Sequence, residues 1–301
     1  MDHRLAFHNV VPHHHKYHRK TDLARFEFTY KAEVTSVYRL TEHENLYRIR
    51  ILDNEDRKHF SFRPGQFVML EIPGVGESPF SISSSPSNHE DIELCIRTVG
   101  NLTGVLSRAQ RGMRIGIRGP FGTSFPMELM HGGNILLIAG GLGLVPLRSP
   151  IAHVQEHRSM FDQVFIVYGT KEPSQLLFKF QYEMWKKDDI SLDIIVEKPD
   201  PSWTGPAGMI TKVLEGIINS RDDAFIEKTH AIVCGPPAMF KSVCSMLAER
   251  GVPMQKMFVN LERRMHCGMG KCCRCNVGST YICLSGPVFD YWTVMNLKEA
   301  I

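Results

Sequence analysis

The sequence has no long hydrophobic run. Its longest apolar stretch, Asn134–Leu147, holds 14 residues and three glycines, too few apolar residues for a helix that spans a bilayer. The first 24 residues are polar and rich in histidine, without the apolar core of a secretory signal. We therefore expect a soluble protein with no direct membrane insertion.

Neither sign of charge dominates the chain. Its 301 residues include 35 lysines and arginines against 32 aspartates and glutamates, a net charge of +3 with histidine neutral. A nucleic-acid-binding protein would show a basic run or face, so we expect no nucleic-acid partner. With 43% hydrophobic residues, the chain is long enough for two compact domains and a small third.

Cysteine is scarce outside one short segment. Five of the eight cysteines fall between Cys267 and Cys283, whereas a disulfide framework distributes its cysteines through a short secreted chain. Clustering at one end of a long chain indicates a metal site in a reducing compartment. We therefore expect a cytoplasmic protein.

The first 129 residues contain a tail and a β-rich region. Residues 1–24 form a His-rich tail, interpreted as a solvated or partner-docking extension, with a metal site as the alternative. Residues 25–129 contain six short segments broken by Gly, Pro and Asn, and one helical segment at Thr103–Gln110, which together predict a small antiparallel barrel. The predicted strands are Phe28–Leu40, Leu46–Leu52, Phe67–Ile72, Phe80–Ser84, Ile92–Val99 and Met113–Arg118.

The pattern changes over residues 130–251, where short apolar runs alternate with amphipathic stretches. This alternation predicts a doubly wound α/β domain with a parallel sheet covered on both faces. The predicted strands are Ile135–Ala139, Val164–Tyr168, Leu192–Val196 and Ala231–Cys234. The predicted helices are Leu147–His157, Gln175–Lys186, Thr211–Ile218 and Ala238–Arg250. Residues 252–301 form a small C-terminal domain with a candidate strand at Phe258–Leu261 and the cysteines.

Four cysteines have the spacing of an iron–sulfur site. Cys267 is followed by Cys272 after four residues, by Cys275 after two more, and by Cys283 further on. This is the spacing of plant-type [2Fe–2S] clusters, in which four thiolates hold two irons. The sequence therefore predicts Cys267, Cys272, Cys275 and Cys283 as cluster ligands.

Glycines in the same segment support this prediction. Gly268, Gly270 and Gly278 allow a backbone that wraps closely and directs amides at sulfur. Structural zinc is the main alternative, although a zinc ribbon needs a second Cys-x2-Cys pair that the sequence lacks. Buried free thiols are the third interpretation. Cys273 competes with Cys272 as a ligand, and the spacing favours Cys272.

A glycine-rich turn follows the first predicted parallel strand. Gly140, Gly141 and Gly143 precede Pro146, which suits the first turn of a helix. Glycines let a backbone approach a pyrophosphate, and a helix N-terminus supplies amides to it. A strand–helix turn without a ligand is the alternative, because the motif is not G-x-G-x-x-G. Cys234-Gly235-Pro236 ends another parallel strand, where ligands also bind, or Cys234 is simply a packed small residue.

Two segments of the barrel are candidates for binding a cofactor. Ser78-Pro79-Phe80-Ser81 offers an aromatic face and a hydroxyl to a flat ring, with core and edge positions as the alternative. Gly100-Asn101-Leu102-Thr103 opens the barrel's predicted helix, so its amides are candidates for phosphate.

Taken in order, these motifs resemble the ferredoxin–NADP reductase superfamily, a flavin barrel followed by a pyridine-nucleotide domain. Glu262-Arg263-Arg264-Met265 before the cysteines and Gly286-Pro287-Val288-Phe289 after them resemble one subgroup. It includes the electron-transfer subunit of dihydroorotate dehydrogenase, the gamma subunit of sulfhydrogenases, the corresponding subunit of anaerobic sulfite reductase and flavin subunits associated with heterodisulfide reductases. The resemblance covers about Glu27 to Asp290.

The resemblance implies FAD, NAD(P)H and a [2Fe–2S] cluster as cofactors. Ser78-Pro79-Phe80-Ser81 matches the family's Arg-x-Tyr-Ser flavin motif, with Ser in place of Arg and Phe in place of Tyr. Loss of the arginine removes a bidentate phosphate ligand. Further FAD contacts are implied at Arg97, Leu102 and Thr103. Nucleotide contacts are implied at Gly140, Gly141, Gly143, Tyr168, Gly169, Thr170, Cys234, Gly235 and Pro236.

The sequence therefore predicts an NAD(P)H-dependent oxidoreductase, the electron-transfer flavoprotein subunit of a complex. Its partner is a redox subunit of hydrogenase, heterodisulfide reductase or sulfite reductase type, because no residue suggests a catalytic acid or base for a small substrate. Two alternatives are a connector subunit that does not bind nicotinamide and a zinc-stabilised interaction protein. Lys171 followed by Glu172 favours NAD, since the 2′-phosphate of NADP would require arginine.

Overall fold

A computed structural model describes residues 28–297. The predicted His-rich tail, residues 1–24, lies outside the described residues. Residues 28–297 form two six-stranded sheets and one two-stranded hairpin. No helix in this part of the chain is long and apolar enough to cross a membrane.

The first sheet is antiparallel throughout, in the order β4-β3-β6-β1-β2-β5. The N–H of Ser83 donates to the carbonyl oxygen of Glu93 (2.9 Å), which joins the two ends of this order into a barrel. Its strands are β1 (Tyr30–Arg39), β2 (Glu44–Ile51), β3 (Phe67–Ile72), β4 (Gly76–Ser81), β5 (Ile92–Arg97) and β6 (Arg114–Phe121). Two short helices, α1 (Asn54–His59) and α2 (Asn101–Leu106), lie in its connections.

Strand β3 is buried on both faces, which explains its unbroken apolar start. Val68 and Leu70 point into the barrel core. Phe67 and Met69, on the opposite face, belong to a second core that continues into the C-terminal half of the chain. Because side chains alternate between the faces of a strand, one strand connects the two cores.

The second sheet contains five parallel strands, ordered β11-β10-β7-β8-β9, with β7 at the point where the order reverses. The strands are β7 (Asn134–Gly140), β8 (Val164–Thr170), β9 (Ser191–Val196), β10 (Thr229–Cys234) and β11 (Met257–Asn260). The accompanying helices are α3 (Leu144–Glu156), α4 (Tyr182–Lys187), α5 (Ile210–Asn219), α6 (Asp223–Glu227) and α7 (Pro237–Glu249).

The C-terminal segment carries the cysteines and returns to the second sheet. It contains a hairpin of β12 (Asn276–Val277) and β13 (Thr280–Tyr281), then α8 (Ile282–Ser285), β14 (Val288–Asp290) and α9 (Tyr291–Asn296). Strand β14 adds an antiparallel edge to β11. The predicted architecture of an antiparallel barrel, a doubly wound sheet and a small C-terminal part is confirmed.

Some predicted boundaries were wrong. Strand β4 spans Gly76–Ser81 rather than Phe80–Ser84, because the chain leaves β3 after Ser81 and crosses to β5. The stretch Gln175–Lys186 is α-helical only from Tyr182, since Phe178 adopts a left-handed conformation (φ 51°) that interrupts the helix. Helix α2 ends at Leu106 instead of Gln110.

Four short helices were missed, α1, α6, α8 and α9, because four to six residues are too few to show helical periodicity. Side-chain caps stabilise α1 and α6 despite their short length. The Asp53 carboxylate accepts from the N–H groups of Glu55 and Asp56 at the start of α1, and the Asp222 carboxylate caps α6.

A buried arginine joins the barrel to the second sheet. The Nη1 atom of Arg148, in α3, donates to Glu93 Oε2 (2.5 Å) and to the carbonyl oxygen of Ser83 (2.9 Å), both in the barrel. Its Nε atom donates to Oε1 of Gln181 (2.6 Å), which belongs to the same half of the chain as α3. Glu93 also accepts from Arg48 Nε (2.7 Å). Burial raises the pKa of Glu93, but the two arginines outweigh burial and hold it below its ordinary value.

We expect Arg148→Met to lower the free energy of unfolding by about 3 kcal/mol, because Glu93 loses one of its two arginines and the buried Ser83 carbonyl and Gln181 amide oxygen lose their donor. Urea denaturation at pH 7 measures the loss. Lys186→Met is the control, since Lys186 pairs with Glu183 at the surface, where such pairs contribute less than about 1 kcal/mol.

The same pair sets a pH dependence. Because the pKa of Glu93 is lower in the folded protein, its stabilising contribution is present above the unfolded pKa and is lost as pH falls through the folded pKa. The stability difference between wild type and Arg148→Met should therefore shrink below about pH 4. A difference that is equal at pH 3 and pH 7 would contradict this assignment.

Candidate cofactor sites

A cavity of about 880 Å³ lies at the carboxyl edge of the second sheet. The turns after β7 and β10, the ends of β8 and β11, and Arg97 of the barrel line it. In open α/β sheets, ligands bind at this edge where the strand order reverses, and β7 stands at that reversal.

The structure brings most of the predicted nucleotide residues together around this cavity. Tyr168 and Cys234 do not line it, because both side chains are buried below the edge. The Tyr168 hydroxyl accepts from the N–H of Leu177 (3.2 Å), and burial raises the pKa of the Cys234 thiol. The predicted residues on the cavity wall are Arg97, Gly140, Gly141, Gly143, Gly169, Thr170, Gly235 and Pro236.

Packing explains two of the three glycines in the turn after β7. A Cβ atom on Gly143 would lie 2.0 Å from the carbonyl oxygen of Cys234, and one on Gly140 would lie 2.3 Å from Met239 Sδ. The turns after β7 and β10 therefore approach each other too closely for side chains. A Cβ on Gly141 (φ +55°) would meet nothing within 4 Å. Of the three, only Gly141 leaves room for a ligand.

The predicted flavin motif lies on the edge strand β4. Residues 78–81 are all partly exposed, and Phe80, opposite Val68 of β3, packs against the barrel core. Phe80 thus offers a ring that the core supports and that remains partly open. A half-open aromatic ring beside a serine hydroxyl fits a flat ring system.

The remaining predicted flavin contacts are already engaged locally. The Thr103 hydroxyl accepts from the N–H groups of Val99 (3.0 Å) and Gly100 (2.9 Å), and so stabilises the start of α2. Leu102 is buried. Arg97 pairs with the buried carboxylate of Glu44. Of the predicted flavin residues, Arg97 reaches the 880 Å³ cavity, whereas residues 78–81, Leu102 and Thr103 do not line it.

Backbone N–H groups are directed at the sulfurs of three of the four predicted cluster ligands. The N–H of Gly270 is directed at Cys283 Sγ (3.1 Å), that of Cys272 at Cys267 Sγ (3.4 Å), and that of Cys283 at Cys275 Sγ (3.4 Å). Donors directed at sulfur stabilise thiolates and tune iron–sulfur clusters. The loop therefore has the donor arrangement expected from its glycines.

The four thiols meet as two pairs. The Cys272 thiol lowers the pKa of Cys267, and the Cys275 thiol raises the pKa of Cys283, so each thiol lies beside its partner. Within residues 28–297, no three His, Cys, Asp or Glu side chains are arranged to hold one metal ion. In a [2Fe–2S] cluster with four cysteines, each iron binds two thiolates. Two pairs of thiols fit this division.

The electrostatics of the two pairs differ. Partial burial raises the pKa of the Cys267 thiol, but the N–H groups of Met269 and Cys272 outweigh burial and bring it to about 7. Burial and the neighbouring Cys275 raise the pKa of Cys283 to about 12. Cys267 is thus prepared to bind iron as thiolate, whereas Cys283 must lose its proton as metal binds.

Cys273 is separated from both pairs. It is exposed, its backbone is left-handed (φ 55°), and its Sγ lies 3.3 Å from the hydroxyl oxygen of Tyr281. This placement favours Cys272 over Cys273 as the ligand.

Several cavity residues carry no sequence motif and were missed. Met209 and Ile210 at the start of α5, Glu197 after β9 and Asn260 at the end of β11 all line the cavity. No spacing or composition marks them, because separate loops bring them together.

Family models match three consecutive parts of the chain. The oxidoreductase FAD-binding domain matches residues 31–125, and the oxidoreductase NAD-binding domain matches residues 137–245. The iron–sulfur cluster binding domain of dihydroorotate dehydrogenase B matches residues 262–295.

Two relatives cover most of the chain. Sulfhydrogenase 2 subunit gamma of Pyrococcus furiosus is 40% identical over 286 residues, which is 91% of this chain and 98% of the relative. A probable dihydroorotate dehydrogenase B (NAD(+)) electron transfer subunit of Methanocaldococcus jannaschii is 34% identical over 234 residues, 77% of this chain and 80% of the relative. The chain belongs to their family.

A solved structure of the ferredoxin reductase in carbazole 1,9a-dioxygenase has the same fold. Its TM-score is 0.64 at 26% identity, covering 77% of this chain and 68% of that one. The predicted resemblance to the ferredoxin–NADP reductase superfamily is confirmed, as are the predicted FAD-, NAD- and iron–sulfur-binding parts. With its three matched parts and its membership of this family, the chain is an oxidoreductase electron-transfer subunit.

We expect Gly141→Asn to lower the efficiency of flavin reduction by NADH at least tenfold. Asparagine tolerates the left-handed conformation, and its side chain would project into open cavity space. Stopped-flow bleaching of the flavin absorbance measures the effect, and photochemical reduction, which needs no nucleotide, should be unchanged.

Gly143→Ala is the matched comparison in the same turn. The added Cβ of Gly143→Ala would collide with the backbone of Cys234, so we expect this variant to have a lower thermal midpoint of unfolding. The midpoint of Gly141→Asn should stay close to that of wild type. Wild-type NADH kinetics in Gly141→Asn would contradict the placement of the nucleotide.

Proposed function

We propose that this chain moves electrons between a nicotinamide nucleotide and a partner redox subunit, using FAD and a [2Fe–2S] cluster. The contact between the cysteine loop and the barrel supports this most strongly. A Cβ on Gly268 would lie 3.0 Å from Phe121 of β6, and Phe121 and Met69 share one core with Cys275 and Cys283. The proposed cluster would therefore lie directly against the flavin-binding part.

The chemistry requires this order of sites. FAD held at Phe80 and Ser81 would supply the chemistry that exchanges an electron pair, as hydride, with a nicotinamide and single electrons with a cluster held by the four cysteines. The protein binds and aligns the groups, and reversal of the flow uses the same residues.

We propose that the chain is divided into one part for each of the three bound groups. Residues 25–129 would bind FAD, 130–251 the nucleotide and 252–301 the cluster, after a tail at 1–24. β11 and β14, from the third part, complete the sheet of the second, so the last two parts would fold together.

For FAD, we propose that Phe80 lies against the ring and Ser81 reaches its reactive edge. Ser78 lacks the charge of the family's arginine. Arg97 and the amides of Leu102 and Thr103 would supply phosphate contacts instead. Arg97 is 40% exposed although it pairs with Glu44, and this exposure leaves part of its guanidinium available to a phosphate.

For the nucleotide, we propose a path along the carboxyl edge of the second sheet. It would run from the turn after β7 toward the turn after β10, past Gly169 and Thr170, with Tyr168 and Cys234 supporting the edge from below. Because Arg97 of the barrel borders the same cavity, the nicotinamide end would face the flavin.

For the cluster, we propose Cys267 with Cys272 on one iron and Cys275 with Cys283 on the other. Structural zinc would need all four sulfurs around one ion, whereas the thiols meet in two pairs.

The partner is proposed to be a redox subunit that carries iron–sulfur clusters or the terminal catalytic site. The name of the sulfhydrogenase relative favours a hydrogenase type, with heterodisulfide reductase and sulfite reductase types as alternatives. Exposed and half-exposed cysteines such as Cys273 and Cys272 favour a reducing, cytoplasmic setting.

We expect protein purified anaerobically to contain about two irons and two sulfides per chain. NADH should bleach its flavin and then reduce the cluster. Cys272→Ser should lose the iron, whereas Cys273→Ser, one position away, should keep it. The reverse result would show that the ligand assignment is wrong, and colourless protein with one zinc per chain would refute the function.

We expect NADH to be preferred over NADPH by at least tenfold, roughly 1.4 kcal/mol in transition-state binding. Lys171 and Glu197 both line the cavity beside the ends of β8 and β9, and the Glu197 carboxylate would repel a 2′-phosphate. Glu197→Gln should therefore raise the efficiency of flavin reduction by NADPH more than that by NADH, as measured by stopped-flow absorbance. A preference for NADPH in the wild type would contradict this choice.

A further inference from the structure

One guanidinium connects the flavin motif strand to the cysteine loop. Arg118, in β6, donates two hydrogen bonds to the Glu77 carboxylate, from Nε to Oε1 (2.7 Å) and from Nη2 to Oε2 (2.8 Å). Its Nη2 also donates to the carbonyl oxygen of Cys267 (3.1 Å). The guanidinium lies 5.5 Å from the ring centroid of Phe121, and the side chain is 12% exposed.

Arg118 joins two segments that belong to successive sites of the proposed electron path, the flavin site and the cluster site. Glu77 directly precedes Ser78 in β4, and Cys267 is the first of the proposed iron ligands. Gly268 packs on Phe121, the same ring that Arg118 covers. The guanidinium of Arg118 thus contacts both β4, which carries the flavin motif, and the cysteine loop, and fixes the distance between them.

We propose that Arg118 is a positioning residue for electron transfer between flavin and cluster, and that the opposite charges of Arg118 and Glu77 offset each other's effect on the reduction potential of the cluster. This inference rests on the proposed function, because it assumes that Cys267 binds iron.

Charge explains the effect on the potential. Reduction adds one negative charge to the cluster, so a nearby cation favours the reduced form and a nearby carboxylate opposes it. Arg118 and Glu77 are largely shielded, with 12% and 22% of their side chains exposed, and solvent therefore screens them less than surface charges. While both side chains are charged, their opposite effects on the reduction potential of the cluster nearly cancel. Removing either charge should therefore let the remaining charge shift the potential.

Geometry explains the effect on the rate. Two parallel hydrogen bonds to a carboxylate need the planar fork of arginine, which lysine cannot reproduce. Lysine would keep the positive charge but could not hydrogen-bond to both Glu77 oxygens and to the Cys267 carbonyl oxygen at the same time. Arg118→Lys therefore separates the two roles.

The test uses purified holoprotein with its flavin and cluster, titrated at defined potentials while the reduced cluster is followed by electron paramagnetic resonance. Arg118→Gln should lower the ratio of reduced to oxidised cluster at a fixed potential about tenfold, a 59 mV shift for one electron. Glu77→Gln should raise that ratio by a similar factor. The double variant should return close to wild type.

Arg118→Lys should keep the potential near wild type but slow the reduction of the cluster after mixing with NADH at least threefold, while the bleaching of the flavin by NADH is unchanged. The matched controls are Arg114→Gln and Glu33→Gln, which each break an ion pair between β6 and β1 whose arginine is 65% exposed. Neither control variant should move the potential.

Shifts of the same sign in Arg118→Gln and Glu77→Gln, or equal shifts in the controls, would overturn the inference. If Arg118→Gln fails to fold, Glu77→Gln still decides it, because that variant keeps the contact between Arg118 and the Cys267 carbonyl. Wild-type protein without iron would refute the proposed function instead, so the two failures are distinguishable.

Discussion

The hydrogen bonds of Arg148 are the constraint on which the arrangement of the sites depends. This buried side chain holds Glu93 and Ser83 of the barrel together with Gln181 beside the second sheet, and its guanidinium lies 4.9 Å from the ring centroid of Phe178. A buried charge is stable only when its hydrogen-bonding groups are satisfied, so the two halves fit in one orientation. Hydride transfer needs reacting atoms about 3–3.5 Å apart, and a loose junction could not maintain such a distance.

The C-terminal segment depends on the same junction. Thr123 of the barrel receives a hydrogen bond from the N–H of Val288 (3.2 Å) and donates one to its carbonyl oxygen (2.9 Å), while β14 pairs with β11 of the second sheet. The cysteine loop is therefore anchored to both halves. With Arg118 on its first cysteine, the loop is held against the barrel from two directions.

The glycine-rich turn shows how packing and binding share one motif. Gly140 and Gly143 are needed because two turns meet there, and Gly141 alone in that turn keeps a free approach from the cavity. The sequence alone did not distinguish these roles, since all three glycines follow one strand. Tyr168 and Cys234 likewise proved to be buried supports of the cavity edge rather than part of its wall.

Local patterns in the sequence were enough to predict the barrel and the alternating strands and helices, because strand alternation is expressed over a few neighbouring residues. The spacing of the four cysteines is equally local, and their role as iron ligands stays a prediction. Local patterns could not predict the contacts of Arg148 with Glu93, 55 positions away, or of Arg118 with Cys267, 149 positions away. They also misplaced β4, whose end depends on its crossing to β5. Such contacts are decided only when distant segments pack together, since no local pattern records which buried charge will meet which.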